Sequence, residues 1–110
     1  MLVGKLSLGR LQEGTGAWLC GAFELALDRH ADAYRTFVLA REHYSAAQAP
    51  GLTLLLEGYI ALVCEVTGNR VPPWEDIDRV CERISAGGFE GGVEWIEQLR
   101  TARKVFATGA

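Results

Sequence analysis

Four side chains in one short stretch have the types that bind a metal or move a proton: Glu24, Asp28, His30 and Asp32. Glu24 and Asp28 stand four residues apart, so a helix would set them on one face. With the other two at a turn, three carboxylates and an imidazole could converge on a divalent cation. Protein metal sites show better-defined ligand spacing, such as paired cysteines or two histidines one turn apart, and neither occurs here. The stretch is therefore read as a polar turn, with Asp32 capping the helix that follows. No metal and no cofactor is expected, and His43 beside Glu42 reads as a surface residue.

Other catalytic signatures are equally sparse. No serine or cysteine nucleophile has a histidine near it in sequence, and there is no glycine-rich phosphate loop and no GxSxG. The carboxylates Glu75 and Asp76 fall on an amphipathic pattern, where solvation accounts for them. Cys20, Cys64 and Cys81 form no CxxC pair and are odd in number, unlike a disulfide-stapled secreted domain. All lie in apolar stretches and read as buried thiols in a reducing cytoplasm. The basic cluster Arg100, Arg103 and Lys104 comes late in its helix, where cations oppose the negative end of the dipole. The chain is thus expected not to be an enzyme.

The elements that would position these residues follow from length and pattern. A chain of 110 residues with 49% hydrophobic and 23% charged residues is expected to be one globular domain. The net charge of −3 makes no case for nucleic acid or an anionic membrane. Lys5, Arg10 and Glu13 interrupt the early apolar residues, so no secretory signal is read there. The most apolar stretch, Leu52–Val66, carries Glu57 and Glu65 and is shorter than the roughly 20 residues of a membrane span. A cytoplasmic location without membrane contact is expected.

Helical periodicity runs through most of the chain. Ile77, Val80, Cys81 and Ile84 repeat at i, i+3, i+4 and i+7, with Pro73 in the first turn and Gly87-Gly88 as the stop. A closing helix spans about 91–107, with Val93, Ile96, Leu99, Ala102 and Phe106 along one stripe and Trp95 at its edge. Earlier helices cover about Thr15–Asp28 and Asp32–Ala47, separated by His30-Ala31-Asp32. In the first, Trp18, Leu19, Phe23, Leu25 and Leu27 are core candidates. Pro50-Gly51 opens Leu52–Val66, which has almost no polar face and so predicts a helix buried on several sides. The first residues read as a short helix, or with Leu6 and Leu8 as a strand, and a break is expected near Gly14–Gly16.

Internal repetition organises these helices. Leu19-Cys20-Gly21-Ala22-Phe23-Glu24-Leu25 returns as Leu56-Glu57-Gly58-Tyr59-Ile60-Ala61-Leu62, and each copy is followed by a turn and a second helix. In this the chain resembles the tetratricopeptide-repeat family, which sets a small residue on its first helix. The family follows it with alanine, an aromatic and alanine on the second, and Gly21, Ala33, Phe37 and Ala40 stand at that spacing. The second copy departs from the pattern, with Ile77, Cys81 and Ile84 at the equivalent places, and Ala17 and Glu24 stand where the family has Trp and Tyr. The resemblance implies an all-α array of about five helices, with hairpins over about 15–47 and 51–86 and a closing helix over about 91–107. In size and hairpin layout the chain is also similar to bacterial type III secretion needle-subunit chaperones.

The expected function is a non-enzymatic protein-interaction module: an adaptor or small assembly chaperone that takes a helix or peptide of another protein between its hairpins. Tyr34, Arg41 and Tyr44, at helical spacing, are the groove candidates, joined by Trp74 beside Pro72-Pro73 because tryptophan is a frequent interface anchor. One alternative is a structural subunit that self-associates as a homo-oligomer or joins a larger complex. Another is a small enzyme or metal protein that uses the Asp28/His30/Asp32 turn.

Overall fold

The hairpin pattern becomes five helices in the computed structural model, which describes residues 2–68 and 76–107 and the side chains of 9–68 and 76–106. α1 spans Leu2–Ala26, α2 His30–Ala46, α3 Pro50–Thr67, α4 Ile77–Gly87 and α5 Gly92–Ala107. No strand occurs among the described residues. The all-α fold of antiparallel hairpins is as expected: α1 packs on α2, α2 on α3, and α3 in turn on both α4 and α5.

The first turn differs from the sequence reading, whereas the second falls just before Pro50-Gly51 as expected. The chain leaves α1 at 27–29, before the His30-Ala31-Asp32 stretch, and α2 already begins at His30. Asp32 therefore lies in the first turn of α2, where it pairs with Arg35, and it caps nothing. Both links use one device. Asp28 and Gln48 adopt left-handed backbone, at φ 60° and 58°, in the position where glycine is usual. Arg29 N–H then reaches back to the Glu24 carbonyl at 2.9 Å, and Ala49 N–H to the Tyr44 carbonyl at 3.0 Å. At 27–29 no glycine or proline advertises the turn, whereas Pro50-Gly51 marks the link at 47–49. α3 is conventional, with Pro50 in its first turn and a left-handed Gly68 at its end. α4 begins only at Ile77, where the Asp76 carboxylate accepts the Arg79 N–H at 2.8 Å; Pro73 lies outside the described residues.

α1 is continuous through Gly14–Gly16, so the expected break is absent. Gly14 instead makes room for a ring, since a Cβ there would stand 2.9 Å from Tyr44. One turn pair further on, a Cβ at Gly21 would stand 2.7 Å from Phe37. Ala33, Phe37 and Ala40 are fully buried on the facing side of α2, so small residues and an aromatic do fit together here. On α3 the same arrangement recurs toward α5, where Gly51 receives the Trp95 ring and Gly58 the Leu99 side chain. Close approach, rather than chain flexibility, explains these glycines.

α3 is the centre of the core. By length and composition it would pass as a membrane span, but most of it is covered by its neighbours within the protein. Its two carboxylates are ion-paired: Glu57 with Arg41 and Arg83, Glu65 with Arg103. Arg103 bonds Glu65 at 2.9 and 2.7 Å and also reaches Asp78, tying α5 to α3 and α4. That bidentate bonding, more than exposure at a helix end, accounts for Arg103 and raises its already high pKa further. The expected core of α1 is only partly realised. Leu25 is buried and Trp18 is packed on Tyr59, but Leu19, Phe23 and Leu27 are 60%, 67% and 50% exposed.

Candidate functional site

α2 and α4 both lie against α3, and two separate open clefts lie along α3, together termed the groove. At one end a cleft of about 510 Å³ is lined by Ser45, Gln48 and Pro50 from the α2–α3 corner, by Thr53, Leu54 and Glu57 of α3, and by Arg83 of α4. In the middle, Arg41 donates to Glu57 from Nε and Nη2 at 3.3 and 3.1 Å, and Arg83 donates to the other carboxylate oxygen at 3.4 Å. At the far end a larger cleft, of about 630 Å³, is bordered by His30, Ala31, Tyr34 and Arg35 of α2 and by Val63, Cys64 and Thr67 of α3. The antiparallel packing of α2 on α3 sets this order, because the C-terminal end of one meets the N-terminal end of the other.

The sequence candidates separate on this surface. Tyr34 lines the larger cleft, and Arg41 holds the central carboxylate from the α2 side. Tyr44 does not face the groove: it is buried against Gly14 on the α1 side, with its hydroxyl 2.8 Å from Thr15 Oγ1. At 3.6 residues per turn Tyr44 sits roughly 80° around α2 from Tyr34, which is enough to turn it from α3 toward α1 and split the aromatic–Arg–aromatic ladder. Burial pushes the Tyr44 phenol up from its ordinary value against the opposing Thr15 bond. Trp74 lies outside the described residues. Glu57 and Arg83 complete the groove and were missed by sequence reasoning, since a glutamate in an apolar helix gives no hint of which helices flank it. His43, read as a surface residue, is half-buried and sits 3.2 Å from Glu13 of α1.

Two chemistries can be weighed directly. Among the described residues no three His, Cys, Asp or Glu side chains converge as a metal site. His30 Nε2 stands 4.0 Å from Asp28, while Asp32 is engaged by Arg35 and Glu24 accepts from Thr36. The larger cleft also brings Cys64 and His30 to one border. A cysteine nucleophile needs a depressed pKa, and burial pushes the Cys64 thiol up, so it stays protonated at neutral pH. Cys81 is raised in the same way, mainly by burial. The clefts offer concave shape with both apolar and hydrogen-bonding side chains on their borders. No family model matches the chain, and no curated protein or solved structure shows detectable similarity to it.

Proposed function

We propose that this chain is a non-enzymatic interaction module of tetratricopeptide-like build that binds a peptide or helix of another protein along α3, in a cytoplasmic setting. The observation that carries the reading is the groove itself: two clefts at the ends of one helix, joined across the Arg41–Glu57–Arg83 bridge. The separation of the clefts suits a ligand of several residues rather than a compact metabolite. Tyr34 provides an aromatic surface for an apolar side chain at one end, and Ser45, Gln48 and Thr53 provide donors and acceptors at the other. The raised Cys64 thiol and the scattered carboxylates support binding over catalysis.

The test is a peptide-display selection on the immobilised chain, followed by partner recovery from the native host and mass spectrometry. Tyr34→Ala with Arg41→Ala is expected to lower affinity for the selected sequences at least about tenfold, with the helical circular dichroism retained. Undiminished binding by a folded double variant removes the groove as the site.

A further inference from the structure

Away from the groove, the α1–α2 hairpin carries a cluster of three titratable or charged side chains. His43, in the last turn of α2, has only 14% of its side chain exposed and lies against two residues one turn apart on α1. Its Nδ1 stands 3.1 Å from Arg10 Nη1 and 3.2 Å from Glu13 Oε2, while Arg10 and Glu13 are 3.9 Å apart. Both α1 residues are more than half exposed. Among the described residues, the charged group that α3 turns toward α2 is Glu57, which Arg41 and Arg83 hold. On α2 itself Glu42 is exposed, and Tyr44 turns its hydroxyl to Thr15.

The two contacts to Nδ1 exclude each other. A ring nitrogen offers either a lone pair or an N–H, never both. Arg10 has only N–H groups to give and needs the lone pair, whereas the Glu13 carboxylate has only lone pairs and needs the N–H. We propose that His43 is a two-state clasp in which a proton exchanges its partner: Arg10 holds the neutral ring and Glu13 the charged one. In the neutral state the ring proton sits on Nε2, and Nδ1 accepts from Arg10. Protonation puts a second N–H on Nδ1, which repels Arg10 and donates to Glu13 in a charge-assisted bond. The negative end of the α2 dipole favours the same charged ring. Histidine is the side chain that changes charge between about pH 5 and 8, a range in which carboxylates and guanidinium groups keep theirs. Because the two partners carry opposite charges, one bond replaces another, and α1 stays tied to α2 on both sides of the transition. The tie moves one turn along α1 with no backbone shift, since both partners already stand within bonding distance.

The test is an NMR titration of the full chain that follows the ring nitrogens of both histidines, with His30 at the far end of α2 as the internal reference. In the parent, Nδ1 of His43 is expected to be bare at about pH 8 and protonated at about pH 5.5. Glu13→Gln should lower the proton affinity of His43 about twofold or more and Arg10→Gln should raise it by a similar factor, with His30 unmoved. Both positions are mostly exposed, so these variants keep the fold. Urea unfolding supplies an independent readout. Glu13→Gln should lose more stability at about pH 5.5 than at about pH 8, and Arg10→Gln the reverse. Both differences should vanish in a chain that also carries His43→Gln, because the direct Arg10–Glu13 pair does not depend on the ring. An Nδ1 that keeps its proton at about pH 8 overturns the proposal. So does a His43 titration that both substitutions leave in place or move in the same direction.

Discussion

α1 and α3 share a heptapeptide pattern and meet opposite fates. Leu56 and Ile60 of α3 are fully buried, whereas their counterparts Leu19 and Phe23 in α1 are more than half exposed. The cause is position in the array: α3 is enclosed by α2, α4 and α5, while α1 packs mainly on α2 and touches α3 through Trp18 and Tyr59, whose ring centroids are 5.9 Å apart. The same residues at the same spacing thus serve as core in one helix and as surface in the other. An amphipathic pattern specifies which side chains group together; the number of neighbours decides whether they leave water.

The largest effect should come from testing that difference directly. Ile60→Ala is expected to cost about 2–5 kcal/mol in urea unfolding, the range for emptying a buried aliphatic site. Phe23→Ala, measured in dilute protein, should stay within about 0.5 kcal/mol. Equal losses would mean that α1 is as enclosed as α3 and would break the comparison. The glycines sharpen it within one helix. Gly21→Ala forces a methyl against the Phe37 ring and should cost about 1–3 kcal/mol, whereas Gly16→Ala should gain up to about 1 kcal/mol from helix propensity; chemical denaturation of both variants reads the opposite signs.

Smaller effects probe the links and the buried phenols. Gln48→Gly removes left-handed strain at the α2–α3 corner and is expected to stabilise the chain by about 1 kcal/mol, seen as a higher melting temperature. The weakest effect is that of alkaline pH. Burial raises Tyr59 above its ordinary 10.0, opposed by bonding from Gln98. The folded state then holds its proton when the unfolded chain has begun to lose it, so the stabilisation is complete below pH 10.0 and is lost as pH rises through the folded value. Melting temperatures above pH 10.0 should fall less steeply in Tyr59→Phe than in the parent. An unchanged slope would mean that the Tyr59 phenol of α3 is open to water.

Much of the fold was legible in the pattern. The i, i+4 spacing of Val80 and Ile84 located α4, and Pro50 with Gly68 bracketed α3. The turn at 27–29 was harder to read because Asp28 occupies a left-handed position that glycine normally advertises, whereas Pro50 marked the one at 47–49. Gly14 misled in the other direction, since a glycine that receives a ring is indistinguishable in sequence from one that breaks a helix. For the site, Tyr34 and Arg41 were legible as a polar and aromatic stripe, but the groove needs α4. Its Arg83 reaches Glu57 across a connection whose course no local pattern dictates.

The sequence by itself determined the helices, their order and the buried character of α3, because periodicity and composition act over a few turns of chain. The tertiary structure alone decided which apolar faces are covered. It turned Tyr44 inward onto Gly14, brought Arg41 and Arg83 to one carboxylate, and left Leu19, Phe23 and Leu27 outside. The physical reason is that burial is a property of neighbours: each helix can present a stripe, but only the packing of the others removes it from water.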